Sequence, residues 1–235
     1  MKALPIHDPL DPLAKSKDAA QRRLYALLRD RLDGQANDVM RALGNPPDVS
    51  RLSGDFWATE AGRMLGDIRP EVERMMLDAI AAESVTVPVL WDEAVIAREA
   101  ADWASRYVGE LIRGIDQNTL DFVRRQVQSW IETPGQRIGD LRATLTPAFG
   151  ERRAQTIAVT ETTRAFAEGQ KLIKAELERG GVRRLRKWNT SGDEKRVCEQ
   201  CRDLDSKTED EWSGTDGPPL HVNCRCWTTF VEARQ

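Results

Sequence analysis

All four cysteines of this 235-residue chain fall within its last forty positions, in an order that suits a tetrahedral metal. Cys198 and Cys201 form a C-x-x-C knuckle in RVCEQC, and the later run HVNCRC supplies His221, Cys224 and Cys226. Five soft ligands on two short segments exceed the four that a closed structural Zn²⁺ site takes as Cys₃His or Cys₄. A C-x-x-C alone is a weak signal. Followed about twenty residues later by H-x-x-C-x-C, with no cysteine elsewhere, it is a specific one.

Four cysteines could also form disulfides, but MKALPIHDPLDPLAKSK lacks a basic segment followed by an apolar one and does not read as a secretory signal. A thioredoxin-like pair would open a helix after a buried strand, whereas RVCEQCRDLDSK is polar and turn-like. Structural zinc is the expected cofactor. The first-choice ligands are Cys198, Cys201, His221 and Cys224, with Cys226 as the alternative to one of the last two. Alternation along a strand would put Cys224 and Cys226 on one face, and His221 would swing in from the loop before it.

Composition narrows the rest. A net charge of −3 gives no global field for nucleic acid. No apolar run approaches the ~20 residues of a membrane span, so a soluble protein is expected. Only His7 and His221 are available as histidines, which limits general acid–base chemistry.

Along the chain, residues 1–16 read as a flexible arm. From about Lys17 a helical stripe runs through Leu24, Leu27, Leu28, Leu32, Val39 and Leu43, stopped by Gly44-Asn45-Pro46-Pro47. Helices are expected over 55–67 and 70–83, the second opened by Pro70, then a connector at Thr86–Leu90. Two more are expected over 92–113 and 118–132, ended by Thr133-Pro134-Gly135. Beyond that point the spacing predicts a short helix over 137–145, broken by Pro147, and a long one over 151–178, capped by Gly180-Gly181. Strands are expected over 182–190 and 224–231. The fold class is therefore α+β: a mainly helical N-terminal half, then a long helix packed on a small zinc-stapled antiparallel sheet. The expected division is an arm over 1–16, a helical domain over 17–135 suited to docking a partner, and a metal-bearing domain over 136–235.

Two features invite sharper readings. Glu161 falls inside the apolar stripe Ile157–Ala158–Ala165–Gly169–Ile173, where a carboxylate is costly unless paired. Arg164 at i+3 and the strand residues Arg183, Arg184, Arg186 and Lys187 are candidate partners, and a structural ion pair is favoured over a catalytic role. The basic run VRRLRK could touch phosphate. However, residues 181–235 carry ten basic and ten acidic side chains, so pairing with the acidic loop Glu209, Asp210, Glu211 and Asp216 is the simpler reading.

Four motifs in order, namely IAVTETTRAFAEG (157–169), Lys187-Trp188, DEKRVCEQCRDLDSK and PPLHVNCRC (218–226), resemble the phage Mu F-like head morphogenesis family, the minor head proteins of tailed phages and prophages. The resemblance covers about Arg152 to Phe230. Ala167 stands where members often carry Asn, Val159 where Arg is frequent, and Ser206 where Gly usually follows the knuckle. The resemblance implies a virion component at the portal vertex of the capsid, present in the host cytoplasm during assembly and acting in head morphogenesis, DNA packaging or delivery. Portal protein is the implied partner, with scaffold or major capsid protein as others and genomic DNA contact as a lesser alternative. The family domain has been likened to ADP-ribosyltransferases and also fronts toxins; with Gln235 nine residues after Cys226, the short form is expected. An enzyme is the alternative class. A His-Asn-His nuclease needs a histidine base, and with His221 claimed only His7 remains; a transferase would want a phosphate loop or acidic pair that is not evident. No catalytic residue is nominated.

Overall fold

The computed structural model describes residues 12–84, 92–190 and 197–233. Helix α1 spans Pro12–Leu43 and α2 spans Gly54–Ser84. Next come α3 (Glu93–Glu132), α4 (Ile138–Phe149) and α5 (Glu151–Arg179). The chain then forms strand β1 (Arg184–Asn189), a one-and-a-half-turn helix α6 (Glu199–Leu204) and strand β2 (Trp227–Glu232). A mostly helical chain with one small antiparallel sheet is the α+β class expected.

The helices are longer than the sequence pattern predicts, because packing overrides local breakers. Residues 12–16, expected in the arm, form the first turn of α1, where Leu13 and Ala14 are buried; residues 1–11 and the Thr86–Leu90 connector lie outside the described residues. Pro70 sits inside α2 rather than opening a new helix. Pro70 and Gly66 are both exposed, so the Gly66 carbonyl left without an N–H partner can bond water. Meanwhile Ile68 and Val72 keep the buried stripe unbroken. In α3, Gly114 costs about 1 kcal/mol of helix propensity. Burial of Ile112, Ile115 and Val123, at about 1.5–3 kcal/mol each, outweighs it. Pro147 is likewise carried within α4, and Gly150 ends that helix.

Helix α5 is the centre of the molecule. From Ala158 to Ala167 every residue but Arg164 is buried, as a helix surrounded by others requires. It packs on each of α1, α2, α3 and α4 and on both strands. Gly169 allows the closest approach: a Cβ there would lie 2.9 Å from the Met76 carbonyl oxygen on α2. At its C-terminus Gly181 takes φ +75° while Val182 N–H returns to Leu177 O at 2.8 Å, so the glycine pair closes the helix as expected.

One apolar cluster runs from Leu13 through α1–α5 to Trp227. Core packing therefore crosses Pro134-Gly135, and the division placed at residue 135 does not divide the core. The aromatic residues of the two strands go to three different clusters: Trp227 joins the main one, Phe230 packs beside Ile173 and Leu177, and Trp188 enters a third with the cysteines. Strands β1 and β2 pair antiparallel with Lys187 opposite Thr229 and Trp188 opposite Thr228. On the other edge of β1, Trp188 N–H bonds Lys207 O at 2.8 Å and Ser206 N–H bonds Trp188 O at 2.9 Å. The knuckle thus rests directly against the sheet edge.

Candidate metal centre

The five predicted ligands come together. Cys198 caps α6 with its sulfur accepting from Cys201 N–H at 3.4 Å, which turns both sulfurs to one side. His221 follows from the second segment: its Nδ1 lies 2.9 Å from the Val222 carbonyl, an acceptor only, so the proton sits on Nδ1 and the Nε2 lone pair is free. That Nε2 is 3.1 Å from Cys198 Sγ and 3.3 Å from Cys201 Sγ. Cys201 Sγ is 3.9 Å from Cys224 Sγ. Two triads, Cys198–Cys201–His221 and Cys201–Cys224–Cys226, each hold their donor atoms within 4.8 Å of one another, with Cys201 common to both.

Bond lengths of about 2.3 Å to sulfur and 2.0–2.1 Å to nitrogen give tetrahedral edges of about 3.8 Å between sulfurs and about 3.5 Å between sulfur and nitrogen. The observed separations lie near those edges, so the donor set fits a metal ion. All four thiols are free of disulfides. Crowded sulfurs settle their charge unequally: bonds from the Cys201 and Cys226 thiols push Cys224 down to about 2, whereas bonds with Cys224 and Cys226, and burial, push Cys201 far up. Burial opposes protonation of His221, but its Val222 bond and the Cys224 and Cys198 sulfurs raise its pKa overall. A pocket that concentrates sulfur donors around the free Nε2 of one imidazole is one that attracts a metal.

One expectation is corrected in its cause. Cys224 and Cys226 do not alternate on a strand, because β2 begins only at Trp227. They lie in a turn held from outside. Asn223 takes φ +65°, Cys224 N–H bonds His221 O at 3.2 Å, Asn223 N–H bonds Thr160 Oγ1 at 2.8 Å, and Thr163 Oγ1 donates to Cys224 O at 2.8 Å. From α1, Lys17 Nζ donates to Arg225 O at 2.9 Å and to Cys226 O at 2.7 Å. Trp188 closes the floor. It is fully buried beside Cys226, whose thiol is lowered by Cys201 and, least, by Trp188, but is pushed up overall to about 12 by the Cys224 sulfur and burial. Sequence reasoning passed over Thr160, Thr163 and Lys17. Four threonines between 156 and 163 are a costly choice for a helix, and that was the available signal. A single lysine at the start of a long helix gave none.

Glu161 is buried one turn away, where the Tyr107 hydroxyl of α3 donates to its Oε2. Arg164 Nε stands 3.5 Å from the same oxygen, and its guanidinium lies over the Tyr107 ring. Burial raises the Glu161 pKa against the lowering by Tyr107 and Arg164. The strand arginines offered as partners go elsewhere. Arg186 bonds Glu209 at 2.9 Å and the Asp216 carbonyl at 2.9 Å, and Arg184 faces Glu232 across the sheet. Lys174 adds to Glu209 and Lys171 to Asp216. Strand and acidic loop thus complement each other internally at Arg186.

Fold and site together define an α-helical bundle with a small sheet, whose central helix α5 braces a Cys/His knuckle able to hold a metal ion. Residues 123–229 match the family model described as Phage Mu protein F like protein, so over that span the chain is similar to that family. The matched span opens inside α3, upstream of the boundary expected at 136. No curated protein and no solved structure gave a match. Among the described residues no helix is long and apolar enough to cross a membrane.

Proposed function

We propose that this protein is a structural component of a phage head: a minor head protein associated with the portal vertex, acting in head morphogenesis or in DNA packaging or delivery, with its C-terminal knuckle held by one structural zinc. The observation that carries the reading is the Mu F-like match over 123–229, which contains every one of the clustered thiol and imidazole donors. Zinc is favoured by the all-sulfur-and-imidazole donor set, which oxygen-seeking cations do not choose. When bound it would supply structural cross-linking, with Cys198, Cys201, His221 and Cys224 as first-choice ligands and Cys226 the alternative. We assign partner docking, to portal protein and to scaffold or capsid protein, to the helical region 17–135.

A structural role is preferred to nuclease or transferase chemistry. Glu161, the one carboxylate singled out for catalysis, accepts from Tyr107 and faces Arg164 rather than an open cleft. The test is direct. Virions of the phage or prophage that encodes the chain are purified and analysed by mass spectrometry, alongside heads assembled when its gene is disrupted. The protein should be present in few copies, and its loss should leave heads unassembled or unfilled. Absence from both virions and assembling heads overturns the proposal. Plasmid nicking with Mg²⁺ or Mn²⁺, or NAD hydrolysis, by the purified chain would promote the enzyme reading.

A further inference from the structure

Lys17 is 4% exposed on α1, yet the atoms its ammonium bonds are two neutral carbonyls, those of Arg225 and Cys226, 208 and 209 positions away. A buried ammonium is costly unless negative charge lies close. The knuckle groups near enough to act on its charge are the sulfurs of Cys224 and Cys226, with Asp18 beside it on α1 and Arg225 opposing. The same helix touches the knuckle a second time, where Arg225 donates to Gln21 Oε1 at 3.4 Å. On the metal reading, a divalent cation with three thiolates and one neutral imidazole leaves a net charge of −1, and four thiolates leave −2. Either centre is anionic, and the buried ammonium of Lys17 stands beside it from outside the knuckle.

We propose that Lys17 is the positioning residue of the metal centre: its charge offsets the excess of thiolate, and its two bonds hold the 225–226 carbonyls so that Cys224 and Cys226 stay turned toward Cys201. This rests on the metal reading of the knuckle. It makes the seating of the first turns of α1 and the retention of metal two ends of one equilibrium, because a coupling between sites acts equally in both directions. Thr160 and Thr163 hold the same turn from α5, but they are uncharged and lie in the match span. Lys17 lies more than a hundred residues before that span, so it attaches the N-terminal helix to a knuckle that otherwise belongs to the Mu F-like part.

The test uses the full chain loaded with zinc. Zinc affinity is measured by competition with a chromogenic chelator for the wild type, for Lys17→Met, which keeps an apolar stem of similar length, and for Lys15→Met, which removes an exposed charge from the same turn of helix. Losing an outer partner of a metal ligand lowers affinity by about 10–100-fold. Lys17→Met should weaken zinc binding by at least tenfold while Lys15→Met matches the wild type. A second arm needs no variant: hydrogen exchange is followed in the unsubstituted protein before and after zinc is stripped. Exchange over residues 12–24 should accelerate, with residues 104–123 of α3 unchanged. Equal zinc affinity in Lys17→Met and wild type, or α1 exchange indifferent to zinc, overturns the proposal alone. A wild-type chain that takes up no zinc overturns the metal reading and this proposal together.

Discussion

Replacing Glu161 separates its structural role from a catalytic one, and the size of the effect can be argued from its surroundings. Glu161→Ala leaves the Tyr107 hydroxyl without its acceptor, which costs about 1–3 kcal/mol for a buried donor. It also removes buried methylene packing at about 0.8 kcal/mol per CH₂. Breaking a fully buried ion pair costs about 3–5 kcal/mol, but that figure is an upper bound here. The Arg164 side chain is 37% exposed and can turn to water. Eliminating a carboxylate that burial disfavours offsets part of the loss. A net cost of about 2–3 kcal/mol follows, or roughly 5–10 °C in melting temperature for a chain of this size. Glu161→Gln keeps a carbonyl for Tyr107 and should cost below about 1 kcal/mol. The pH dependence has a definite sign. Because burial raises the folded pKa of Glu161 above its ordinary value of 4.5, the folded state holds the proton more tightly than the unfolded state. Its contribution is therefore most favourable below about 4.5 and is lost as pH rises through the folded pKa. Thermal melts of wild type and both variants between pH 4 and 8 check this: the advantage of wild type over Glu161→Gln should shrink as pH rises. A Gln variant as damaged as the Ala variant, with a gap independent of pH, would refute the reasoning.

Three further substitutions probe backbone fit. Gly169→Ala places a Cβ 2.9 Å from the Met76 carbonyl and 3.2 Å from Ala79 Cβ, so α5 and α2 must part; a loss of about 1–3 kcal/mol is expected by chemical denaturation. Gly62→Ala meets nothing within 4 Å and should instead gain about 0.5–1 kcal/mol from helix propensity. Ser206 holds φ +65° just after α6, a conformation that costs an L-residue about 1–2 kcal/mol. After the greater chain entropy of glycine is deducted, Ser206→Gly should stabilise by about 0.5–1 kcal/mol, with an unchanged or lower melting temperature counting against it.

Ser206 also shows how legible this chain is. Its departure from the usual glycine was visible in the sequence, and the left-handed backbone supplies the reason. The cluster of candidate ligands and the capping pair Gly180-Gly181 were equally readable, because sulfur chemistry and positive φ are properties of single residues at fixed spacing. Helix lengths in α2 and α3 were not. Pro70 and Gly114 read locally as breakers, and only the partner helices that bury Ile68, Val72, Ile112 and Ile115 make continuation worthwhile. The supports of the knuckle were illegible for a related reason. Lys17 and Thr163 act through backbone carbonyls whose positions depend on the whole bundle, and a carbonyl leaves no trace in residue type.

The bond from Lys17 to Cys226 also sets an order of events. It joins residues 209 positions apart, so that contact cannot form on the ribosome until Cys226 itself has been made. Closing so long a loop carries its entropy cost before the contact returns anything. Helices α1 to α3 have apolar faces that α5 later covers, and they must wait for it through most of synthesis. A nascent chain of this design displays adhesive surface for seconds at ordinary elongation rates. The knuckle is then less an appendage than the fastening applied last, after which the first helix of the chain is no longer free to leave.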